Sequence, residues 1–347
     1  MTEDTTRDEL RPLLQQLIFG FFPSAVLSVA VRLRIPDLVA DGAKSSEHLA
    51  AATSTHEPSL FRLLRALAYL GILEATEPKR FGLTDLGALL RSDVPDSMWA
   101  TTQLFCGEGV WRSWGDLMAG VQTGKPSFER GIGLDPFAEF AENAEASKNF
   151  NQAMSEGTRR EAPAIIESYD FSQFRTLVDV GGGDGTLLAA ILAATPGLQG
   201  MVFDTPAGLA EAHIRLADAG VDDRCQLADG DFFESVPHGA DAYIMKSVIH
   251  DWDDERCVTI LQNCRRAMDA GGKVLIVEPV LPPVVKPSFA RLGVVMSDLN
   301  MLLNTGGRER TEDEFASLLR SAGLELNAVV RLPKPSTTNI IESAAGA

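Results

Sequence analysis

Apolar residues recur at helical spacing near the start of the chain. Leu13, Leu14, Leu17, Ile18 and Phe21 form one series, and Val26, Val29, Ala30 and Leu33 form the next. Both series are apolar on more than one face, so they must pack against their own domain or a second subunit. Ser45-Ser46-Glu47-His48 opens a short helix with Ser45 as its N-cap. Glu57-Pro58 opens another over residues 59–69, which Gly71 ends. Residues 72–74 and 80–83 read as two short strands around a turn at 76–79. Helix, helix, β-ribbon is the outline of a winged helix. Residues 1–95 are therefore expected to form an α-helical, winged-helix-like domain.

Residues 96–168 are mostly helical in pattern and hold three of the four tryptophans, Trp99, Trp111 and Trp114. A glycine-rich loop at 120–133 precedes a long helical pattern over 143–168. This stretch is expected to be a helical connector and substrate lid, with Phe105, Trp111 and Trp114 on the lid side. From Tyr169 the pattern changes. Short apolar runs at 176–180, 201–204, 225–229, 242–246 and 273–278 alternate with helical stretches near 185–194, 206–219 and 254–269. Such alternation predicts an α/β fold, a doubly wound, mostly parallel, Rossmann-like sheet over 169–347. Ligands bind such sheets outside the carboxyl ends of the strands.

Composition narrows the partners. A chain of 347 residues is long enough for two domains and a core that needs no disulfides. With 31 basic against 48 acidic residues the net charge is −17, which repels nucleic acid and anionic lipid surfaces alike. The apolar stretch at 17–31 contains Pro23 and two serines and is too short to span a bilayer. The first ten residues are polar and acidic, unlike a signal or transit peptide. Cys106, Cys225, Cys257 and Cys264 form no C-x-x-C pair, so reduced thiols and a cytoplasmic location are expected.

The strand ends carry the unusual residues. After the first strand stands Asp179-Val180-Gly181-Gly182-Gly183-Asp184-Gly185, a D-x-G-x-G-x-G turn that lets a ligand approach the backbone closely. The dinucleotide fingerprint would need glycine where Thr186 stands. The turn instead resembles that of S-adenosylmethionine (SAM) enzymes. Asp204 ends the second strand, where a carboxylate can accept both ribose hydroxyls; Asp204-Thr205-Pro206 also reads as a helix start. After the third strand, Asp231 could bond an adenine amino group and Phe232 pack on the ring. Taken alone, these two are a turn and a core aromatic.

The fourth strand leads into Lys246-Ser247-Val248-Ile249-His250-Asp251-Trp252-Asp253. With the glycine turn, Gly230-Asp231-Phe232-Phe233 and Asn304-Thr305-Gly306-Gly307-Arg308-Glu309-Arg310-Thr311, this chain resembles the SAM-dependent O-methyltransferases. The match is to the dimeric plant caffeic-acid and isoflavone type and its bacterial natural-product relatives, over nearly the whole chain. The resemblance implies SAM as cofactor, S-adenosylhomocysteine as product, a homodimer formed by the N-terminal domain, and a small aromatic acceptor. It implies His250 as the base that deprotonates the acceptor hydroxyl, oriented by Glu278 at the fifth strand end and Glu309. A phenol with a pKa of about 10 needs such a base at neutral pH. The resemblance also places Lys246 and Trp252 near the adenosyl group and Thr158 near the methionine carboxylate. Met154, Met301 and Asn304 become substrate candidates, although core packing explains either methionine equally well.

No metal site is expected: there is no H-x-x-x-H and no cysteine cluster, and Asp251, Asp253, Asp254 and Glu255 read as carboxylates at a helix start. An alternative on the same fold is a SAM-binding homologue that performs hydroxylation or decarboxylation. A DNA-binding regulator is disfavoured, since the would-be recognition helix sets Arg62 and Arg65 among Leu60, Phe61, Leu63, Leu64 and Leu67.

Overall fold

The computed structural model describes residues 7–288 and 291–346. The chain forms two compact units that divide between Trp111 and Arg112. Residues 112–168, expected as part of a separate connector, thus belong to the second unit.

In the first unit, helices Arg7–Ile18 and Phe21–Arg32 are followed by Ser46–Thr53 and Glu57–Tyr69. Ser45 caps the third of these, accepting from the His48 N–H at 3.2 Å. Strands β1 (Lys44–Ser45), β2 (Leu73–Glu77) and β3 (Arg80–Leu83) form an antiparallel sheet in the order β1-β3-β2, a winged-helix outline. Leu60, Leu64 and Leu67 turn one face of helix Glu57–Tyr69 onto a core with Val31, Ile35, Leu49 and Phe81. Arg62 and Arg65 lie outside it. Leu14, Leu17, Ile18, Phe19, Phe21 and Phe22 are about half exposed, the uncovered apolar faces that the pattern predicted. Among the described residues no single helix is long and apolar enough to cross a membrane, and the two N-terminal helices are bent by 41° at their break.

The second unit is built on one sheet. Its strands are β4 (Thr176–Val180), β5 (Gln199–Asp204), β6 (Cys225–Asp229), β7 (Ala242–Lys246), β8 (Lys273–Leu281), β9 (Arg310–Thr311), β10 (Leu324–Arg331) and β11 (Thr338–Ala345). The order is β10-β11-β8-β7-β4-β5-β6, with β9 on β8. β4 to β8 are parallel, and β11 and β10 add an antiparallel edge. Alternate residues feed two cores, as the period of two requires. Tyr243, Met245, Val274 and Ile276 pack with helices Asp254–Ala267 and Glu312–Ser321. Leu177, Ile244, Leu275 and Val277 pack with helices Ala144–Ser168 and Thr186–Ala194.

Two features differ from the pattern. The β10–β11 hairpin was not among the predicted strands. β8 also runs three residues beyond Glu278, because Val280 and Leu281 pair with Arg310 and Thr311. Glu278 is therefore not at a strand end; it is fully buried within the strand.

Candidate functional site

The order of strands reverses at β4, with β5 on one side and β7 on the other. Three turns meet at that crevice. The first follows β4. Gly181 has φ +71°, and a Cβ there would stand 2.7 Å from Val248 Cγ2; at Gly182 it would stand 2.8 Å from Asp179 Cγ. Only glycine passes at either place. The Gly183 N–H donates to Asp204 Oδ2 at 2.8 Å, tying the turn to the end of β5. Asp204 Oδ1 accepts from the Thr205 N–H and hydroxyl, while the Thr205 oxygen, not Asp204, receives the Gly208 N–H.

The two aspartates differ in their donors. Asp179 is buried, its Oδ2 has no partner, and burial followed by the Asp204 charge pushes its pKa up to about 7. Burial raises Asp204 as well, against the hydrogen bonds from Gly183 and Thr205. Two neighbouring carboxylates, one of them with an unpartnered buried oxygen, beside a glycine turn that a Cβ would fill, fit a ligand carrying hydroxyls and an ammonium group, as SAM does. Asp184, which sequence reasoning passed over, anchors the turn from below. It accepts from Ser155 Oγ at 2.7 Å and from the Thr186 hydroxyl at 2.7 Å, and pairs with Arg215 at 3.3 Å.

The second turn follows β6. Asp231 is exposed, and its Oδ1 accepts from the Phe233 N–H at 2.8 Å. Phe232 is half-buried, edge-on to Phe233 and Trp252. Buried Asn263 donates to the Phe232 and Phe233 carbonyls and fixes this turn. Trp252 also stacks on Phe137 at 4.8 Å, an aromatic partner from the helix Pro136–Glu142 that the sequence did not flag. Lys246 pairs with Glu161 at 3.0 Å. The Thr158 hydroxyl donates back to Met154 O at 2.9 Å, which leaves only its lone pairs for a ligand.

The third turn follows β7. Ser247 bends the chain with φ +56°, a conformation costly for a residue with a Cβ. Glu278 Oε1 then accepts from the Val248 and His250 N–H groups at 3.1 and 3.0 Å. His250 Nδ1 meets Glu309 Oε1 at 3.0 Å, and Ser297 donates to the same oxygen at 2.7 Å. The second oxygens of Glu278 and Glu309 are buried without partners. On the other side of the ring, Nε2 stands 3.9 Å from Asp251 Oδ1, and both side chains keep 14% of their surface exposed. Burial opposes charge on the imidazole, but Asp251, Glu309 and Glu278 outweigh it and raise His250 to about 10. Burial raises Asp251 to about 7. The carboxylates around the ring thus favour its protonated form.

Arg310, wholly buried, holds this turn in place. It donates to the Ile249 and Trp252 carbonyls at 3.1 and 3.0 Å and pairs with Asp254 at 2.7 Å. Of the substrate candidates, Met301 is buried on helix Leu292–Asn304, one turn beyond Ser297. Asn304 Nδ2 bonds Asn300, which also receives Trp114 Nε1 at 3.0 Å. Met154 is half-buried on helix Ala144–Ser168, next to Ser155. Phe105 and Trp111 lie in the first unit. Among the described residues no group of His, Cys, Asp or Glu side chains is arranged to hold a metal ion.

Comparison with known proteins gives two family matches: an O-methyltransferase domain over residues 114–325 and an O-methyltransferase dimerisation domain over residues 15–93. The phenazine O-methyltransferase PhzM of Lysobacter antibioticus is 45% identical over 334 residues, 96% of each chain. The O-demethylpuromycin-O-methyltransferase of Streptomyces alboniger is 43% identical over 331 residues, covering 94% of this chain and 87% of that one. An O-methyltransferase of neocarzinostatin biosynthesis, solved with SAM and 2-hydroxy-5-methyl naphthoic acid, superposes with a TM-score of 0.80 at 32% identity, over 93% of this chain and 96% of that one. The aclacinomycin 10-hydroxylase RdmB of Streptomyces purpurascens is 36% identical over 331 residues, 93% of this chain and 86% of that one.

Proposed function

Since the chain belongs to the SAM-dependent O-methyltransferase family, we propose that it methylates a hydroxyl of a small aromatic metabolite, a phenol or polyketide-like ring, in natural-product biosynthesis. When bound, SAM supplies an electrophilic methyl group; everything else falls to the protein. The observation that carries the reading is the His250 centre. Its Nδ1 is held by Glu309, while its Nε2 stands 3.9 Å from Asp251, a side chain that keeps some exposure. A hydroxyl at Nε2 would lose its proton to this centre and become the nucleophile for in-line transfer.

Glu278 holds the backbone of this turn and Glu309 its ring, so both orient the centre. Asp179, Asp204, Gly181 and Gly183 would hold the cofactor's polar end, with Asp231, Phe232, Lys246, Trp252 and Thr158 around the rest. Met154, Met301 and Asn304 would shape the acceptor side. The half-exposed apolar residues of the two N-terminal helices support a homodimer, and the acidic charge and reduced cysteines support a cytoplasmic enzyme.

Incubating the enzyme with SAM and a panel of phenols, with products read by mass spectrometry, tests the proposal. A gain of one methylene with release of S-adenosylhomocysteine is expected. The likeness to a 10-hydroxylase keeps hydroxylation as the second reading, and a gain of one oxygen would favour it. Turnover is expected to survive EDTA, because the groups assigned to deprotonation are side chains.

A further inference from the structure

Polar side chains tie helix Ala144–Ser168 to the strand ends. Asn151 Nδ2 donates to the Ala207 carbonyl, after β5, at 3.1 Å. Ser155 donates to Asp184 in the turn after β4. Glu161 Oε2 pairs with Lys246 Nζ at the end of β7 at 3.0 Å, and its Oε1 accepts from the Thr338 hydroxyl at the start of β11 at 2.8 Å. Along the helix these contacts come in the order β5, β4, β7, β11, which is the order of those strands across the sheet. β11 runs antiparallel to β8 with Thr338 opposite Pro279, so its start lies at the same edge as the ends of the parallel strands. The helix therefore lies across the carboxyl edge, over the crevice. Met154, Thr158, Glu161 and Ile165 share one face of it, by their helical spacing. Ile165 is wholly buried in the core, so this is the face turned to the sheet. Among the described residues the helix gives that core only Ala162 and Ile165, with half-buried Ala164 and Ile166. Pro163 has no N–H for the Arg159 carbonyl, which interrupts the ladder between the core-packed end and the part over the crevice. Glu161 stands at that break.

We propose that Glu161 is a positioning residue of the cofactor site: by tying the helix to β7 and β11 it sets the places of Thr158 and Lys246 around bound SAM. This rests on the methyltransferase reading above, which gives those two residues to the cofactor. Ser155 and Glu161 stand three residues to either side of Thr158, so the turn that presents its hydroxyl is held at both ends. A partly exposed ion pair is a poor source of stability, since both charges lose water to meet. It is a good source of geometry. One oxygen of Glu161 is held by a hydroxyl and the other by an ammonium, which fixes the carboxylate and both of its partners. Lys246 also favours the charged form of Asp179, which stands against Gly182 in the glycine turn. Without Glu161 the ammonium loses its held position, and the helix before Pro163 loses its tie to β7 and β11. SAM must then restore both as it binds, at a cost in affinity.

The test is a double-mutant cycle on SAM binding. Glu161→Ala removes both contacts and keeps a helix-forming residue. Its Kd for SAM by calorimetry and its KM for SAM should rise about tenfold, the scale of losing hydrogen bonds to a charged group. Its kcat at saturating SAM should stay within about threefold of the native value, because the His250 centre is untouched. Lys246→Met should weaken SAM as well. The double variant should bind no more weakly than the weaker single one, since the second change removes a contact already lost. Glu161→Gln keeps the bond from Thr338 and should shift the Kd in the same direction by less; it carries the test if the alanine variant fails to fold. A lower denaturation midpoint with an unchanged Kd for SAM would make Glu161 a structural residue and overturn the proposal. So would losses that add in full in the double variant, or a fall in kcat with KM unchanged. Failure of the wider reading looks different: the native protein would then bind no SAM.

Discussion

At the residue scale, the proposed function turns on His250, whose one ring nitrogen is anchored while the other stands 3.9 Å from Asp251. His250→Gln should lower kcat roughly 10²–10⁴-fold while the Kd for SAM barely moves, since the ring faces the acceptor side; single-turnover kinetics and calorimetry separate the two. Asp204 should behave in the opposite way. Its carboxylate holds Gly183 and keeps lone pairs for a cofactor hydroxyl, so Asp204→Ala should weaken SAM about tenfold or more, at roughly 1.5–3 kcal/mol for hydrogen bonds to a charged group. His250 and Glu309 were singled out because they stand in recognisable strings, and Glu278 because the resemblance pointed to the end of the fifth strand. Their environment was not legible. Glu278 looked like a strand-end charge, and Asp251 looked like one more carboxylate at a helix start. Arg310 gave no signal, because arginine is a surface residue by default and burial of its guanidinium depends on carbonyls brought from Ile249 and Trp252 by the fold.

At the scale of elements, the loop before β9 and the turn after β7 act as one piece. A Cβ at Gly307 would stand 2.1 Å from the His250 carbonyl oxygen, so the two backbones are in direct contact. Gly307→Ala must push the turn away and should cost about 10²-fold in kcat, the scale of an ångström's misplacement at a reacting group. Arg310 is the clamp on the same turn. Arg310→Ala takes a charged donor from the Ile249 and Trp252 carbonyls and leaves Asp254 with Arg308 alone, and should destabilise the fold by about 2–4 kcal/mol, read from the denaturation midpoint at constant m. The five parallel strands were legible as apolar runs between helical patterns, since both faces of each are covered. The β10–β11 hairpin was not. It forms the antiparallel edge, its buried positions mix with polar ones such as Glu325, Asn327 and Ser343, and its register comes from β8 and not from its own sequence. The extension of β8 past Glu278 has the same origin, because Pro279 pairs with Thr338 of β11 and Val280 and Leu281 pair with β9.

At the scale of the whole molecule, a cofactor-binding unit and a dimerisation-type unit share one chain. Leu14, Ile18 and Phe22 lie four residues apart and remain about half exposed. Replacing all three by serine should shift the mass by light scattering from two chains to one while leaving the core of the first unit intact, since Val31, Leu49 and Leu64 are untouched. This apolar excess was legible from the pattern, because a helix apolar on several faces announces a partner whatever the fold. The acceptor was not legible, since it depends on side chains such as Met301 and Asn304 whose identity no motif fixes. The proposed reaction moves a methyl group from SAM to an aromatic hydroxyl at the His250 centre. The most direct measurement supplies SAM labelled in its methyl group to the native and His250→Gln enzymes with an accepted phenol. Label is expected in a new aryl methyl ether, one per S-adenosylhomocysteine released, at a rate the variant loses. Label that never leaves SAM across the phenol panel, or an equal rate in both enzymes, would contradict it.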